Sequence, residues 1–270
     1  MGLQGVDLKL NIMKPLNRTL VILALLVGSS ILAELTNIAE DDASQSAYGG
    51  SWKSGKNGGT GFEPWTLTSK RSVGGRYSGF FIADTKTNQD LQNISKNNKA
   101  FGMYVNGFGF EQAVAYRAFE KPLQTGDSFS FLMENHQFEK KFDKDDPTPA
   151  SIGVILRTSN ANDFVTDYNK EATFEFGYYQ GKSNYQIDDG NDNADSGVVF
   201  VDSGVAVTVT LKGTDTYDFE IETLADKKIT KLLNRKLQSS SPIQSMALFD
   251  RSGEKNNVFF NQLQVTRESK

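Results

Sequence analysis

Three carboxylates alternate along Asp218-Phe219-Glu220-Ile221-Glu222. On an extended strand, alternate side chains share a face and follow one another at roughly 6.5 Å along the backbone. That spacing suits the acid and the nucleophile of a retaining glycoside hydrolase, which flank one scissile bond. Asp218, Glu220 and Glu222 are therefore the candidate catalytic residues of a hydrolase or lyase. The same pattern is also what an ordinary half-buried strand shows when Phe219 and Ile221 enter the core and the acids face water, and this plainer account is the favoured one.

Metal chemistry has one site to consider. The run Asp188-Asp189-Gly190-Asn191-Asp192-Asn193-Ala194-Asp195 offers hard oxygen donors at alternate positions, the kind calcium takes. Asp188, Asp189, Asn191 and Asn193 are the candidate ligands, and calcium is the only cofactor the sequence suggests. The run departs from the EF-hand pattern, because Ala194 stands where a sharp turn needs glycine and no Glu closes the loop. Asp143, Asp145 and Asp146, and the pair Asp41-Asp42, are weaker versions of the same idea.

Other chemistries are excluded by what is missing. With no cysteine there is no disulfide, no thiolate metal site and no thiol nucleophile. His136 is the only histidine, so no His-pair metal site forms and a Ser-His-Asp arrangement would have to use this one residue. The glycine-rich run from Gly55 to Gly61 lacks the Gly-Lys-Ser/Thr ending of a phosphate loop and leads into a strand, which argues against nucleotide binding.

Sugar binding needs aromatic faces beside hydrogen-bonding side chains, since a pyranose has an apolar face and polar edges. Trp52 and Trp65 flank the glycine-rich run; Tyr178, Tyr179 and Tyr185 bracket Gln180 and Asn184. Trp65 alternates with Leu67 and is expected in the core. Trp52 and Tyr179 are the better candidates for exposure, and Trp52, Tyr179, Tyr185 and Asn184 are the candidate ligand-binding residues.

The elements that must position these groups are strands. Phe129–Met133, Ile152–Leu156, Phe174–Tyr178, Val205–Leu211 and Tyr217–Glu222 are rich in β-branched and aromatic residues, several with period-2 alternation. Thr125-Gly126-Asp127, Asp202-Ser203-Gly204 and Lys212-Gly213-Thr214-Asp215 read as turns between strands. Ala225–Leu237 alternates as well as it follows a helical period and is assigned to strand. An all-β, two-sheet antiparallel sandwich of jelly-roll type is predicted for residues 34–270, as one domain. Val258-Phe259-Phe260-Asn261-Gln262-Leu263 suits a closing strand that pairs with a first strand near Leu35–Glu40, with Phe260 turned into the core.

At the start, Lys14 and Arg18 precede the apolar run Leu20–Val27, then small residues up to Ala33. This reads as a signal peptide over residues 1–33, translated from Met1 or from Met13 and cleaved after Ala33. Retention as an anchor is the alternative, although the run is shorter than the roughly 18–20 residues that a spanning helix needs. Export to a periplasmic, secreted or cell-surface location follows, and a cysteine-free exported chain suits a bacterial source. The net charge of −4 becomes more negative once the basic leader is removed, which disfavours nucleic acid as a partner.

Gly55-Lys56-Asn57-Gly58-Gly59-Thr60-Gly61-Phe62-Glu63-Pro64-Trp65-Thr66-Leu67 is followed by Gly79-Phe80-Phe81-Ile82, Lys99-Ala100-Phe101-Gly102-Met103-Tyr104, Ser183-Asn184-Tyr185 and the closing Phe-Phe-Asn strand. The order of these pieces resembles a group of bacterial exported β-sandwich modules similar to concanavalin A-like and laminin-G-like jelly rolls. The resemblance, over about Asp41 to Val265, implies a fold and a secreted setting and carries over no functional residue. Laminarinase-like enzymes of that fold use an acidic strand patterned Glu-x-Asp-x-(x)-Glu, where this chain has Asp-x-Glu-x-Glu without a flanking Trp. A non-catalytic binding or surface-associated module, with polysaccharide as partner, is the function expected. A hydrolase or lyase using the acidic strand, and a structural protein of the envelope or matrix, are the alternatives.

Overall fold

The computed structural model describes residues 35–70, 77–106, 111–138, 149–160, 171–252 and 254–268. The expected signal peptide and the acids Asp143, Asp145 and Asp146 lie outside these residues. The strands are β1 (Leu35–Asp41), β2 (Thr66–Lys70), β3 (Tyr77–Asp84), β4 (Lys99–Asn106), β5 (Gln112–Ala118), β6 (Asp127–Asn135), β7 (Ser151–Arg157) and β8 (Ala172–Tyr179). They continue as β9 (Asn184–Asp188), β10 (Asp195–Val199), β11 (Val205–Leu211), β12 (Thr216–Thr223), β13 (Ile229–Lys236), β14 (Ser245–Arg251) and β15 (Glu254–Glu268).

An eight-stranded sheet runs β13-β12-β11-β6-β15-β4-β3, with β1 also pairing to β15, and a seven-stranded sheet runs β10-β9-β8-β7-β14-β5-β2. Every strand pairing between them is antiparallel. This is the sandwich that the alternation predicted, and the segment with two competing periods is strand β13. The first and last strands pair as expected, Leu35 opposite Glu268 and Asp41 opposite Leu263, and the other side of β1 is bridged once, at Glu40 to Thr60.

Alternation decides which side chains meet between the sheets. Phe129, Phe131 and Met133 of β6, Val207 and Val209 of β11, and Phe219 and Ile221 of β12 face Val154, Leu156, Phe174, Phe176, Met246 and Leu248 in one buried cluster. Phe260 lies in that cluster and its neighbour Phe259 does not, as a period of two requires.

Two further apolar clusters cover the outer faces. Val114, Tyr116, Ile155, Ala247 and Phe249 pack together on the outside of the seven-stranded sheet. Ala83, Leu91, Ile94, Ala100 and Phe259 do so on the eight-stranded sheet, beneath the connection between β3 and β4. That connection is held by the carboxylate of Glu134, which accepts from the backbone N–H groups of Gln92 (3.1 Å), Asn93 (2.9 Å) and Ile94 (3.2 Å) and from the Asn93 amide (3.0 Å).

Candidate functional site

The acidic strand is built as its sequence implied. Tyr217, Phe219 and Ile221 are buried, while Asp218, Glu220 and Glu222 emerge together on the outer face of the eight-stranded sheet. Each carboxylate has a lysine of its own: Lys212 at 3.9 Å from Asp218, Lys231 at 2.5 Å from Glu220 and Lys227 at 3.2 Å from Glu222. Acid catalysis on a glycoside needs one carboxyl kept protonated and its partner ionised. The three acids sit in similar half-exposed settings, each beside an ammonium, and form a charge ladder along β12.

Two of the four expected sugar-binding residues are buried. Trp52, expected at the surface, packs edge-on against Trp65 (5.1 Å) and Phe80 (5.4 Å) and lies over Phe101 (4.8 Å). The cause is a polar cluster that folds the glycine-rich segment onto the core. The Arg117 guanidinium pairs with Asp41, donates to the carbonyl of Glu63 (2.7 Å) and to Asn57, and lies 4.6 Å from the Phe62 ring and 4.8 Å from Trp65. Tyr48 donates to Asp41 and accepts from the Trp65 indole (3.0 Å).

Tyr185 is likewise buried, stacked on Phe176 at 5.4 Å with Phe200 at 5.6 Å. It sits on the inward parity of β9, a short strand whose burial alternates. Tyr179 and Asn184 stay half-exposed on the hairpin of β8 and β9. The Tyr179 hydroxyl donates to Glu175, and the Asn184 amide donates to Asp195 at 2.8 Å and 3.1 Å.

The acidic loop is closed by the protein's own cation. Arg235 donates to both oxygens of Asp189, at 2.7 Å and 2.9 Å, and to the carbonyl of Asn193 at 3.0 Å, while the Tyr217 hydroxyl also donates to Asp189. Asp188 accepts from Gln238 (2.9 Å), the Asn191 amide turns to the carbonyl of Lys236 (3.3 Å), and Asn193 accepts from the backbone of Asp195 (3.1 Å). Each of Asp188, Asp189, Asn191 and Asn193 thus has a hydrogen-bond partner within the protein. Among the described residues, no group of three or more His, Asp or Glu side chains is placed to hold a metal ion. Asp41 and Asp42 are held by Arg117 and Lys96. His136 is half-exposed and lies 3.2 Å from Asp90 and 4.0 Å from Asp202.

The place that sequence reasoning missed is the outer face of the seven-stranded sheet. Its register aligns Thr66, Tyr116, Ala247, Ile155, Glu175 and Asp188 in one row across β2, β5, β14, β7, β8 and β9. Arg157, on the same face, holds its guanidinium 5.2 Å from the Tyr116 ring, within cation–π range. Burial, with the nearby charge of Asp188, pushes the Glu175 carboxyl up to about 8. Gly153 and Gly177 face each other in the next row, where a methyl at Gly153 would lie 2.1 Å from the Phe176 carbonyl and 2.9 Å from the Phe249 ring.

At the β2 end of the row the face opens into a cleft of about 430 Å³, lined by Ser54, Glu63, Pro64, Thr66, Tyr116 and Asn160 among others. This volume lies within the roughly 300–1,000 Å³ of small-ligand sites. Glu63, Pro64, Asn160 and Ser54 are exposed, while Tyr116, only 3% exposed, lies in the floor beneath them. The glycine-rich segment that lines one side, through Gly55 and Trp65, was singled out in the sequence, but the sheet side was not, because β5 reads Gln-Ala-Val-Ala-Tyr-Arg-Ala with both faces buried, so its outward parity cannot be told from its inward one.

Comparison with solved structures finds lectin-like sandwiches. A legume lectin-like domain from Entamoeba histolytica is similar with 10% identity, over 71% of this chain and 90% of that one, at a TM-score of 0.44. Arcelin-5, a lectin-like defence protein from Phaseolus vulgaris, is similar with 7% identity over 76% and 93%, at 0.41. The carbohydrate recognition domain of Emp47p is similar with 10% identity over 90% and 100%, at 0.41. No family model and no curated protein matches the chain. The fold stands on the strand pairing described above, and at these scores the neighbours assign no residue and no ligand.

Proposed function

We propose that this protein is an exported, non-catalytic carbohydrate-binding module, and that a polysaccharide segment is held in the cleft beside Tyr116. The observation that carries the proposal is the composition of that cleft: an exposed proline ring next to a carboxylate, an amide and hydroxyls, over a floor formed in part by Tyr116, in a volume fit for one or two sugar units. In this cleft a pyranose sets its C–H face on the exposed Pro64 ring and directs its hydroxyls to acceptors such as Glu63 and to amides such as Asn160.

Export is supported by the N-terminal pattern of basic flank, short apolar run and small residues. Among the described residues, no helix is long and apolar enough to cross a membrane. Binding without calcium is the expectation, because Arg235 pairs with Asp189 in the loop where the ion was expected.

Affinity electrophoresis through gels containing a panel of soluble polysaccharides tests the proposal. Selective retardation in one or a few gels is the expected result, unchanged by a chelator. Equal mobility in every gel would contradict it.

A further inference from the structure

The opposite sheet carries a second hollow. On the outer face of the eight-stranded sheet, a depression of about 250 Å³ is framed by Glu40, Asp42 and Lys96 at its rim, with Ser130, Leu132, Ala206, Thr208, Gln262 and Gln264 rising from the strands beneath. Leu132 and Ala206 are cross-strand partners, as are Ser130 and Thr208 in the adjoining row. The hollow thus sets a half-exposed aliphatic floor beside short hydroxyls and amides.

Three of those polar groups are left without partners among the described residues. One row further along, Ser128 and Thr210 satisfy each other at 2.8 Å; among the described residues the hydroxyls of Ser130 and Thr208 and the amide of Gln262 make no hydrogen bond. The neighbours of Gln262 are both committed. Asn261 donates to the carbonyls of Ile94 and Lys99, each at 2.8 Å, and Gln264 donates to Asn37 at 2.8 Å.

Gln262 is also aimed. The register of β15 against β6 slips between Asn261 and Gln264, and within that bulge Gln262 adopts φ 49°, a left-handed conformation that a residue with a Cβ rarely takes. A bulge of this kind redirects a side chain from the regular pleat, and here it leaves the Gln262 amide exposed beside the hollow.

We infer that this hollow is a second glycan-contact site, taking one neutral sugar unit with its C–H face on Leu132 and Ala206 and its hydroxyls on Ser130, Thr208 and Gln262. The inference rests on the carbohydrate-binding proposal above and extends it. With contacts on the outer faces of both sheets, one molecule engages two chains, or two segments of one chain, and gains avidity from the pair.

Amide chemical-shift mapping of the purified protein with cello-, xylo-, manno- and galacto-tetraoses tests it. The expected result is two saturable groups of shifts, one around Thr66 and Tyr116 and one around Ser130, Thr208 and Gln262. Gln262→Gly with Thr208→Val should weaken the second group about tenfold, the loss of one or two hydrogen bonds, and leave the first unchanged. Glycine fits the left-handed position, so this variant keeps the wild-type melting temperature. Glu63→Ala with Asn160→Ala should do the converse. Shifts confined to the cleft would overturn the second site and leave the module a carbohydrate binder; shifts confined to the hollow would support the second site and overturn the cleft; no shift with any sugar would overturn both.

Discussion

Arg117 of the seven-stranded sheet and Asp41 of the eight-stranded sheet form an ion pair with neither side chain exposed to solvent. The pair ties β5 to β1, gathers Tyr48, Trp65 and Asn57 around it, and thereby fixes the segment that walls the Tyr116 cleft. Removing one member leaves the other charge buried and unmatched, a loss of about 3–5 kcal/mol in comparable cases. Asp41→Ala should lower stability by that order in urea unfolding, and Tyr48→Phe by about 2–3 kcal/mol, since its hydroxyl donates to Asp41 and accepts from the Trp65 indole and the Gly58 N–H. Equal, small effects from both substitutions would show that the cluster does not join the sheets.

Glu175 makes stability fall with pH across a defined window. Its carboxyl titrates near 4.5 when free and at about 8 in the folded protein, so below the lower value both states hold the proton and the full stability is present. Between the two values only the folded state holds it, and stability declines as pH rises, levelling off once the folded group ionises. Urea midpoints measured from pH 4 to 9 should drop over this range in wild type and drop less in Glu175→Gln.

Asp250 acts in the same direction from inside the sandwich. It is fully buried, neither oxygen has a hydrogen-bond partner among the described residues, and burial alone holds its carboxyl well above the usual range. Each tenfold change in proton affinity is worth about 1.4 kcal/mol. Asp250→Asn should therefore stabilise the protein at pH 7 and leave it unchanged near pH 3, where Asp250 is protonated in both states.

Gly153→Ala tests the close strand approach under Phe249. The added methyl would meet the Phe176 carbonyl at 2.1 Å and the α-carbon of Gly177 at 2.8 Å, both backbone atoms. Overpacking of this kind costs about 1–3 kcal/mol or more, and the melting temperature should fall accordingly. A neutral outcome would mean that β7 and β8 separate easily and that the row from Tyr116 to Glu175 is not rigid.

Strand positions were legible wherever one face is polar. The alternation of β6, β11 and β12 names its own core residues, and the paired termini follow from the apolar Phe-Phe-Asn strand needing a partner. Trp52 and Tyr185 were misplaced for opposite reasons. Trp52 is buried by a polar cluster whose members are far apart in sequence, Asp41 and Arg117 among them, so no local pattern reports it. Tyr185 lies in a strand too short for its parity to outweigh the polar residues on either side. In the acidic loop, the composition showed oxygen donors and concealed the cation, because Arg235 arrives from β13. The sheet side of the cleft went unseen because β5, β7 and β14 are buried on both faces, which erases the alternation that would have revealed an outward row.

The central claim is that the Tyr116 cleft holds a glycan, and affinity electrophoresis of wild type beside Glu63→Ala/Asn160→Ala in the same polysaccharide gels tests it most directly. Both altered side chains are exposed and make no hydrogen bond among the described residues, so the variant should fold as wild type does. The account predicts retardation of wild type and a loss of about tenfold in apparent affinity for the variant, the worth of one or two hydrogen bonds. Equal retardation of the two would contradict the cleft as the principal site, and no retardation of either would contradict carbohydrate binding itself.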